Sequence, residues 1–520
     1  MKNLHLFWLF IIVLLLQSCS TTHHNVFSLK QNTYYSTRIN HQDYIITIDT
    51  VIENRKLKSP SKFEGVAREA KRSSLSATAY LIDTNEFTTP QLFQVNYKKR
   101  KEKGFLNGKN IKIPHTFIDY VPPVITEFPR RYLDSLFSTR VYKDVPFAKV
   151  VGYWDSKSIP EEHVGKVLLK NIISTVNREL NLKMDIYVPE HAGKIERPLL
   201  MLIHGGAFYV GDKAKKEYVE MGHYFASLGY ITASINYRLG FQPSKASIER
   251  AGYTALQDAH AALRFLVANA KKYNIDPDNI FVGGSSAGGI TALNLAFMQN
   301  KDRPASSFKS LLYKDLGDIE SVGHHRDATF QIKAIASLWG AVGDLNMLKN
   351  NNISVLSYHG TKDPIVPFEY DYPMQKMVKK FAPVFFSKMH GSKLIHAELK
   401  KLGYREKLIP VNTDAHSIWE TNGKTNDFFH QIIGNMAYFF YKDLVPNPVE
   451  IEHDPVFRQR YFISNTKDID LTTWQCEGCF ITNINKNEVF VIWKADATDK
   501  KLITSGVYKN GAAFKTEIKK

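Results

Sequence analysis

The segment "NIFVGGSSAGGITALNLAF" (279–297) constrains the fold more than any other part of the chain. An apolar run ends in two glycines, two serines follow in a tight turn, and an Ala-rich run comes next. Glycines at this spacing allow a strand to turn at once into a helix, because larger side chains there would collide. A buried strand that leads directly into a helix is typical of an α/β protein.

The same alternation of strand and helix signals extends from residue 182 to residue 411. Residues 182–188 alternate apolar and polar side chains, and residues 199–203 form a continuous apolar run that ends in glycines. Residues 256–270 repeat apolar side chains at three- and four-residue steps, as a helix does. These patterns predict a mostly parallel sheet with helices on both faces and right-handed crossovers.

A chain of 520 residues is too long for one ordinary domain. We divide it into a signal peptide (1–19), a region of unclear fold (20–160), a catalytic α/β domain (161–443), a linker (444–455) and a β-sandwich (456–520). Three prolines mark the linker, and closely spaced short strands mark the last region.

The N-terminus "MKNLHLFWLFIIVLLLQSCS" has the features of an export signal. Lys2 precedes an apolar run that is too short to span a bilayer but suits the core of a signal peptide. The residues "LQSC" resemble the lipobox of bacterial lipoproteins, which implies that Cys19 is lipidated. An ordinary secretory signal is the alternative. We expect a lipid-anchored protein of the bacterial cell envelope, on the periplasmic side or at the cell surface.

The basic composition does not by itself indicate a nucleic-acid partner. Sixty-eight Lys and Arg face 51 Asp and Glu, a net charge of +17. The densest run, residues 97–104, lacks interleaved aromatic residues and is interpreted as a solvated loop. Cys476 and Cys479 supply too few ligands for a zinc site, so we expect no metal, and whether they form a disulfide stays open.

The glycine turn contains two candidate nucleophiles. A serine exposed on such a turn needs very small residues two positions before and two positions after it. Ser286 has Gly284 and Gly288 at these positions, whereas the corresponding frame of Ser285 includes Ala287. The pattern therefore favours Ser286.

A nucleophilic serine needs a base and a carboxylate that orients the base. Asp363 follows the predicted strand at 353–360, and His416 lies in a loop after the predicted edge strand at 407–411. Both positions are at the carboxyl ends of strands, where ligand sites of parallel sheets form. Asp344 is the alternative acid. The other candidate bases are His359, His390 and His396.

The motif "HGGAF" (204–208) follows a buried strand and is a candidate oxyanion hole. Acyl transfer places negative charge on the former carbonyl oxygen, and backbone N–H groups aimed at that oxygen stabilise it. We predict that Gly205, Gly206 and Ala287 donate these N–H groups, with Ala207 as a further candidate.

The motifs "HGGAFYVGD", "SINYRLG", "DPDNIFVGGSSAGG", "HGTKDPIVP" and "DAH" together resemble the α/β-hydrolase carboxylesterases, in the type-B and hormone-sensitive-lipase-like branches. The resemblance covers roughly residues 182–443 and implies an α/β-hydrolase fold without a cofactor. It also implies that Arg238 and Asp258 are scaffold residues. Around Trp474 and Trp493 the C-terminal region loosely resembles the PKD-like immunoglobulin-type domains of bacterial secreted proteins.

The resemblance implies a serine carboxylesterase that works through an acyl-enzyme intermediate on small or polysaccharide-linked esters. Two alternatives stay open, a serine peptidase of the same fold and a non-catalytic binding lipoprotein. We expect the membrane, reached through a lipid anchor, to be its other partner. The pattern does not indicate the length of the acyl group.

Overall fold

A computed structural model describes residues 23–24, 29–53, 72–82, 87–98, 101–123, 128–156, 177–191, 193, 195–421, 424–445 and 448–520. The chain divides into two units, one of Pro129–Pro446 and one of Met1–Phe128 with Asn447–Lys520. The predicted signal peptide and its Cys19 lie outside the described residues. Within the described ranges, no helix has both the length and the apolar character needed to cross a membrane.

An eight-stranded sheet lies at the centre of the unit Pro129–Pro446. In chain order its strands are Thr139–Gly152 (β1), Arg178–Pro189 (β2), Arg197–Ile203 (β3), Ile231–Ile235 (β4), Ile275–Ser285 (β5), Ile332–Leu338 (β6), Ser354–Gly360 (β7) and Glu406–Val411 (β8). Their order in space is β1-β2-β4-β3-β5-β6-β7-β8. Strand β2 runs antiparallel to β1 and β4, whereas the other neighbouring pairs are parallel. The sheet is therefore mostly parallel, as predicted.

Helices cover both faces of this sheet. The longer ones are Lys216–Leu228 (α1), Lys245–Ala268 (α2), Ala287–Phe297 (α3), Ser392–Lys401 (α4) and Asp427–Leu444 (α5). In β5, Phe281 stacks on Phe440 of α5 with ring centroids 4.8 Å apart. The next residue, Val282, joins a core that includes Leu256 of α2 and Leu293 of α3. Because successive strand residues face opposite sides, α5 and the α2–α3 pair lie on different faces.

The observed elements begin earlier than the predicted catalytic domain (161–443). Strand β1 pairs with β2 along most of its length, with Thr139 opposite Pro189. The partner strand β2 begins 26 residues after the end of β1, so the local sequence pattern did not indicate that β1 belongs to this sheet. The predicted linker (444–455) also contains a short strand, Ile451–His453, which pairs with Arg460–Ile463.

The second unit consists mainly of antiparallel strands in its described part. An eight-stranded sheet has, in spatial order, the strands His23–His24, Phe117–Asp119, Tyr34–Ile39, Gln42–Glu53, Arg72–Ile82, Pro90–Lys98, Lys101–Leu106 and Lys109–Ile111. The C-terminal strands that form two further sheets are Ile451–His453, Arg460–Ile463, Ile469–Glu477, Cys479–Ile484, Glu488–Lys494, Lys501–Tyr508 and Ala513–Lys519.

The N-terminal and C-terminal parts of this unit share a sheet and a core. Strand Phe87–Thr88 pairs in parallel with Glu488–Lys494. The ring of Phe480 lies 5.1 Å from that of Tyr80 and 5.7 Å from that of Tyr120. The region predicted as a separate domain (456–520) is thus joined to a strand about 400 residues earlier in the chain, a pairing that local patterns cannot indicate. Its immunoglobulin-like character stays a prediction.

The described part of the basic run, residues 97–98 and 101–104, belongs to two paired strands rather than to the predicted loop. Strand Pro90–Lys98 pairs antiparallel with Lys101–Leu106. Glu102 and Lys103 are exposed, so these charges are solvated as expected. The density of charge in this run hid its strand character from sequence reasoning.

Cys476 and Cys479 form a disulfide, and their Cα atoms are 5.7 Å apart. The bridge closes a turn at Gly478, whose φ is +65°. The structure therefore supplies a cross-link whose existence the sequence left open.

Candidate active site

Ser286 occupies a strained turn between β5 and α3. Its φ and ψ are 54° and −120°, and its N–H donates to the Leu338 carbonyl oxygen at 2.9 Å. A Cβ on Gly284 would lie 2.4 Å from the Gly288 oxygen, and one on Gly288 would lie 2.0 Å from the Ile203 oxygen. Both flanking positions therefore require glycine, which is the frame predicted for Ser286.

His416 links Ser286 to Asp363. Its Nε2 is 2.9 Å from the Ser286 Oγ, and its Nδ1 is 2.8 Å from an Asp363 carboxylate oxygen. The three residues come from the turn after β5, the loop after β7 and the loop after β8. In this arrangement Nδ1–H can donate to the carboxylate while Nε2 accepts the serine proton.

Asp363 is held in place by further hydrogen bonds. The N–H groups of Ile365 and Val366 donate to its Oδ1 at 2.7 Å and 3.1 Å. Burial by itself would raise the pKa of Asp363, but hydrogen bonds from His359, His416 and the Ile365 backbone bring that pKa well below its usual range. The carboxylate is therefore ionised at neutral pH.

The alternative acid and bases lie in other environments. Asp344 is exposed and accepts from the N–H of Asn346 at 2.9 Å. His390 stacks on Tyr370, with ring centroids 4.4 Å apart. The Nδ1 of His396 lies 2.6 Å from a Glu406 oxygen. These three side chains are engaged away from the hydrogen-bonded Ser286, His416 and Asp363.

His359 lies beside Asp363 rather than beside Ser286. It is fully buried, its Nδ1 is 2.8 Å from the Ser392 hydroxyl, and its Nε2 is 3.6 Å from Asp363. His359 therefore positions the carboxylate and shapes its loop, whereas His416 reaches the serine.

The structure corrects one of the predicted oxyanion donors. The Gly205 N–H donates to the Tyr218 hydroxyl at 3.1 Å, so it does not point at the reacting carbonyl. The following residues Gly206 and Ala207 have φ values of 118° and 53°, which turn the chain at this point. Ala287 is the first residue of α3, where backbone N–H groups have no partner within the helix. Gly206, Ala207 and Ala287 are thus the candidate donors.

Tyr218 of α1 is a site residue that sequence reasoning missed. Its hydroxyl lies 2.7 Å from the Ser285 Oγ in addition to accepting from Gly205. It thereby ties the loop after β3 to the residue that precedes Ser286. Burial raises the pKa of Tyr218, so the phenol stays protonated. A tyrosine in a helix carries no local signal for this role.

His204 supports the loop after β3, and the Arg238–Asp258 pair supports the segment after β4. Burial lowers the pKa of His204 to about 4, so its ring is neutral, and its Nδ1–H donates to the Gly205 oxygen at 2.7 Å. Arg238 Nη2 donates to buried Asp258 at 2.7 Å and joins the chain after β4 to α2. These contacts agree with the scaffold role that the resemblance implied for Arg238 and Asp258.

A largely apolar cavity of about 980 Å³ opens beside Ser286 and His416. Trp339, at the end of β6, lies in its wall and packs edge-on against Trp419 at 4.8 Å. The volume falls within the range typical of small-molecule sites. Among the described residues, no group of three His, Cys, Asp or Glu side chains is placed to hold a metal ion.

Part of the chain matches a known family model. Residues 184–364 match the BD-FAE family. The matched part includes Ser286 and Asp363 and ends before His416.

Curated relatives match over a similar region. Gut esterase 1 of Caenorhabditis elegans is 34% identical over 124 residues, which are 24% of this chain and 22% of the relative. Para-nitrobenzyl esterase of Bacillus subtilis is 32% identical over 181 residues, 30% of this chain and 36% of the relative. Arylacetamide deacetylase of Oryctolagus cuniculus is 28% identical over 207 residues, 36% of this chain and 50% of the relative. The chain thus spans at most half the length of these relatives.

Part of the chain is also similar to solved structures. Esterase 2 of Thermogutta terrifontis in its apo form has a TM-score of 0.37 at 19% identity and covers 52% of this chain and 92% of its own. A truncated carbohydrate esterase from gut microbiota has a TM-score of 0.36 at 20% identity and covers 59% and 97%. By sequence, the part of the chain that carries the candidate site is similar to carboxylic ester hydrolases.

Proposed function

We propose that this chain is a serine carboxylesterase of the α/β-hydrolase class. The observation that carries the proposal is the hydrogen-bonded series of Ser286, His416 and Asp363 beside an apolar cavity. The named relatives that match this region are esterases and a deacetylase, which supports the same chemistry.

In the proposed reaction, Ser286 Oγ attacks the ester carbonyl carbon while His416 Nε2 accepts the hydroxyl proton. The imidazolium, stabilised by Asp363, then gives that proton to the leaving alcohol oxygen as the carbon–oxygen bond breaks. A water molecule attacks the resulting acyl-serine with His416 again as base, and the carboxylic acid leaves. No metal or organic cofactor takes part in this scheme.

The negative charge that forms on the carbonyl oxygen needs preorganised donors. The N–H groups of Gly206, Ala207 and Ala287 are the candidates, and they belong to the chain segments that flank Ser286. One such donor typically contributes a factor of about 10² to 10³ in kcat. The strained conformation of Ser286 is consistent with a side chain that is held ready for attack.

A fluorophosphonate probe tests the proposal without knowledge of the substrate. Such probes react with serines that have an active base and oxyanion hole. We expect the full chain to be labelled at Ser286, with the modified peptide located by mass spectrometry, and to lose labelling in Ser286→Ala and His416→Ala. The matched variant Ser285→Ala should retain the label. No labelling of the folded wild-type chain would contradict the proposal and favour a binding protein.

A comparison of ester and amide turnover separates an esterase from a peptidase. We expect p-nitrophenyl acetate to be hydrolysed and acyl p-nitroanilides to be turned over far more slowly. A preference for the amides would favour the peptidase alternative.

We further propose that the protein is anchored in the bacterial cell envelope through a lipid on Cys19 and acts there on small or polysaccharide-linked esters. The export-like N-terminus and the "LQSC" sequence support this proposal. Metabolic labelling with a radioactive fatty acid should mark the wild type and Cys476→Ser but not Cys19→Ser. Labelling of Cys19→Ser would contradict the anchor at this residue.

A further inference from the structure

The cavity beside Ser286 continues along one face of α3. Ala287, Ile290 and Asn294 line it at spacings of three and four residues, and Met298, directly after the end of α3, lines it as well. Residues at these spacings share one side of a helix. From position 287 to position 294 the helix advances about 10 Å. One part of the cavity therefore follows α3 away from Ser286.

Gly252 and Leu256 of α2 line the same cavity, together with Phe208 from the loop after β3. A Cβ built on Gly252 would come no nearer than 3.7 Å to the Phe208 ring, so the glycine leaves room that a larger side chain would fill. Pro304 borders the same cavity.

The order of the strands indicates which half of an ester enters this part of the cavity. His416 and Asp363 follow β8 and β7, whereas α2 follows β4, which lies on the other side of β5 in the sheet. In the proposed reaction His416 protonates the leaving alcohol, so the alcohol lies on the β7–β8 side. The acyl group then lies on the side of α2, which packs against α3.

We infer that the enzyme takes esters of a linear saturated acid of about ten to twelve carbons, and that this acyl chain lies along the residues of α2 and α3 that line the cavity. We call this part of the cavity the acyl groove; it is lined by Phe208, Gly252, Leu256, Ile290, Asn294 and Met298. An extended chain advances about 1.2 Å per bond, so 10 Å corresponds to about nine bonds, or about ten carbons, and Met298 adds room for about two more. An acetyl group would leave most of the groove empty. This inference rests on the proposed function.

The dependence of turnover on acyl length tests the acyl groove. With the full chain and p-nitrophenyl esters from acetate to palmitate, kept below their micelle concentrations, kcat/KM should rise about two- to fourfold per methylene group. The rise should continue to decanoate or dodecanoate and then stop, because longer chains exceed the groove.

Two variants narrow the acyl groove, one with a substitution in α3 and one with a substitution in α2. Asn294→Trp and Gly252→Leu should each lower the ratio of decanoate to acetate kcat/KM at least about tenfold, because several methylene groups lose their contacts. The matched control is Lys301→Trp, an exposed position beyond the end of α3 that does not line the cavity. That variant should retain the wild-type ratio.

The outcomes separate this inference from the proposed function. A wild-type chain that hydrolyses acetate but shows no rise toward decanoate overturns the acyl groove and leaves a serine esterase. An unchanged ratio in both narrowed variants also overturns it. Absence of turnover for every ester, together with no fluorophosphonate labelling, overturns the proposed function itself.

Discussion

The two units of the chain differ in the sequence distance over which their decisive contacts form. In the unit Pro129–Pro446, the nucleophile turn is specified within five residues, Gly284 to Gly288. In the other unit, Phe480 packs against Tyr34 and Tyr120, which lie more than 350 residues earlier. Catalytic motifs demand particular residues at particular positions, whereas a β core demands only apolar residues that alternate.

This difference predicts different consequences of mutation. Substitutions at the candidate active site should abolish hydrolysis while the fold remains, because the side chains of the site are held by loops at the end of a well-packed sheet. Changes in the shared core of the other unit remove folding stability. Each of the following predictions challenges or refines this contrast.

The largest expected effect follows from Asp363→Asn. An amide cannot hold His416 in the required tautomer or stabilise its imidazolium, so kcat/KM for p-nitrophenyl acetate should fall about 10³- to 10⁴-fold. Asp344→Asn is the matched control, because Asp344 is exposed and makes no contact with His416. Its kcat/KM should stay within about twofold of the wild type. Equal losses in the two variants would refute the assignment of the acid.

Phe480→Ala should break the core that the N-terminal and C-terminal segments share. Loss of a buried phenylalanine typically costs about 3–5 kcal/mol of unfolding free energy. Hydrogen exchange should therefore become faster in Tyr34–Ile39 and Arg72–Ile82, which carry its aromatic partners. The control Leu471→Ala removes a side chain that is 45% exposed and should change little. Unchanged exchange in Phe480→Ala would show that the two segments are stable separately.

The buried His204 predicts a pH dependence of stability near the site. Its folded-state pKa is about 4, below the value of 6.5 in an unfolded chain. Between these values the unfolded state binds the proton and the folded state does not, so stability falls as the pH drops from 6.5 toward 4. The slope is at most about 1.4 kcal/mol per pH unit.

His204→Gln removes this contribution to the slope. Hydrogen exchange of β3 peptides at pH 7 and pH 5, corrected for intrinsic rates, should show a smaller loss of protection in the variant than in the wild type. His223→Gln, at an exposed position, should keep the wild-type dependence. If His204→Gln loses as much protection as the wild type, His204 is not the source.

The smallest expected effect belongs to Tyr218→Phe. The variant loses the hydroxyl that joins Gly205 to Ser285, and kcat should fall about tenfold while KM changes little. Because the two side chains act through one hydrogen-bond network, Tyr218→Phe and Ser285→Ala should be non-additive in the double variant. A change in KM alone, or additive losses, would indicate that Tyr218 only fills space.

Much of the site could be predicted because its chemistry leaves few choices. The glycines around Ser286 are required by contacts as short as 2.0 Å, and this requirement is visible as a sequence motif. Asp363 and His416 could be predicted because they follow strand signals in the expected order. The prediction that the Gly205 N–H belongs to the oxyanion hole was wrong, because the fold brings the Tyr218 hydroxyl within hydrogen-bond distance of that N–H.

The remaining differences between prediction and structure concern strands whose partner strands are distant in sequence. Strand β1 and the short strand Ile451–His453 lay outside the elements predicted for their regions. The pairing of Phe87–Thr88 with Glu488–Lys494 has no local signal at all. Strand alternation indicates which face is buried, but it does not specify the partner strand.

The sequence by itself determined the α/β class, the turn at Ser286 and the candidate acid and base, since these depend on periodicity and on residue types at fixed spacing. The tertiary structure decided that the Gly205 N–H donates to the Tyr218 hydroxyl and which residues line the cavity beside Ser286. It also decided that the first and last parts of the chain share a core. These features depend on contacts between residues far apart in sequence, whose geometry is set only when the whole core packs.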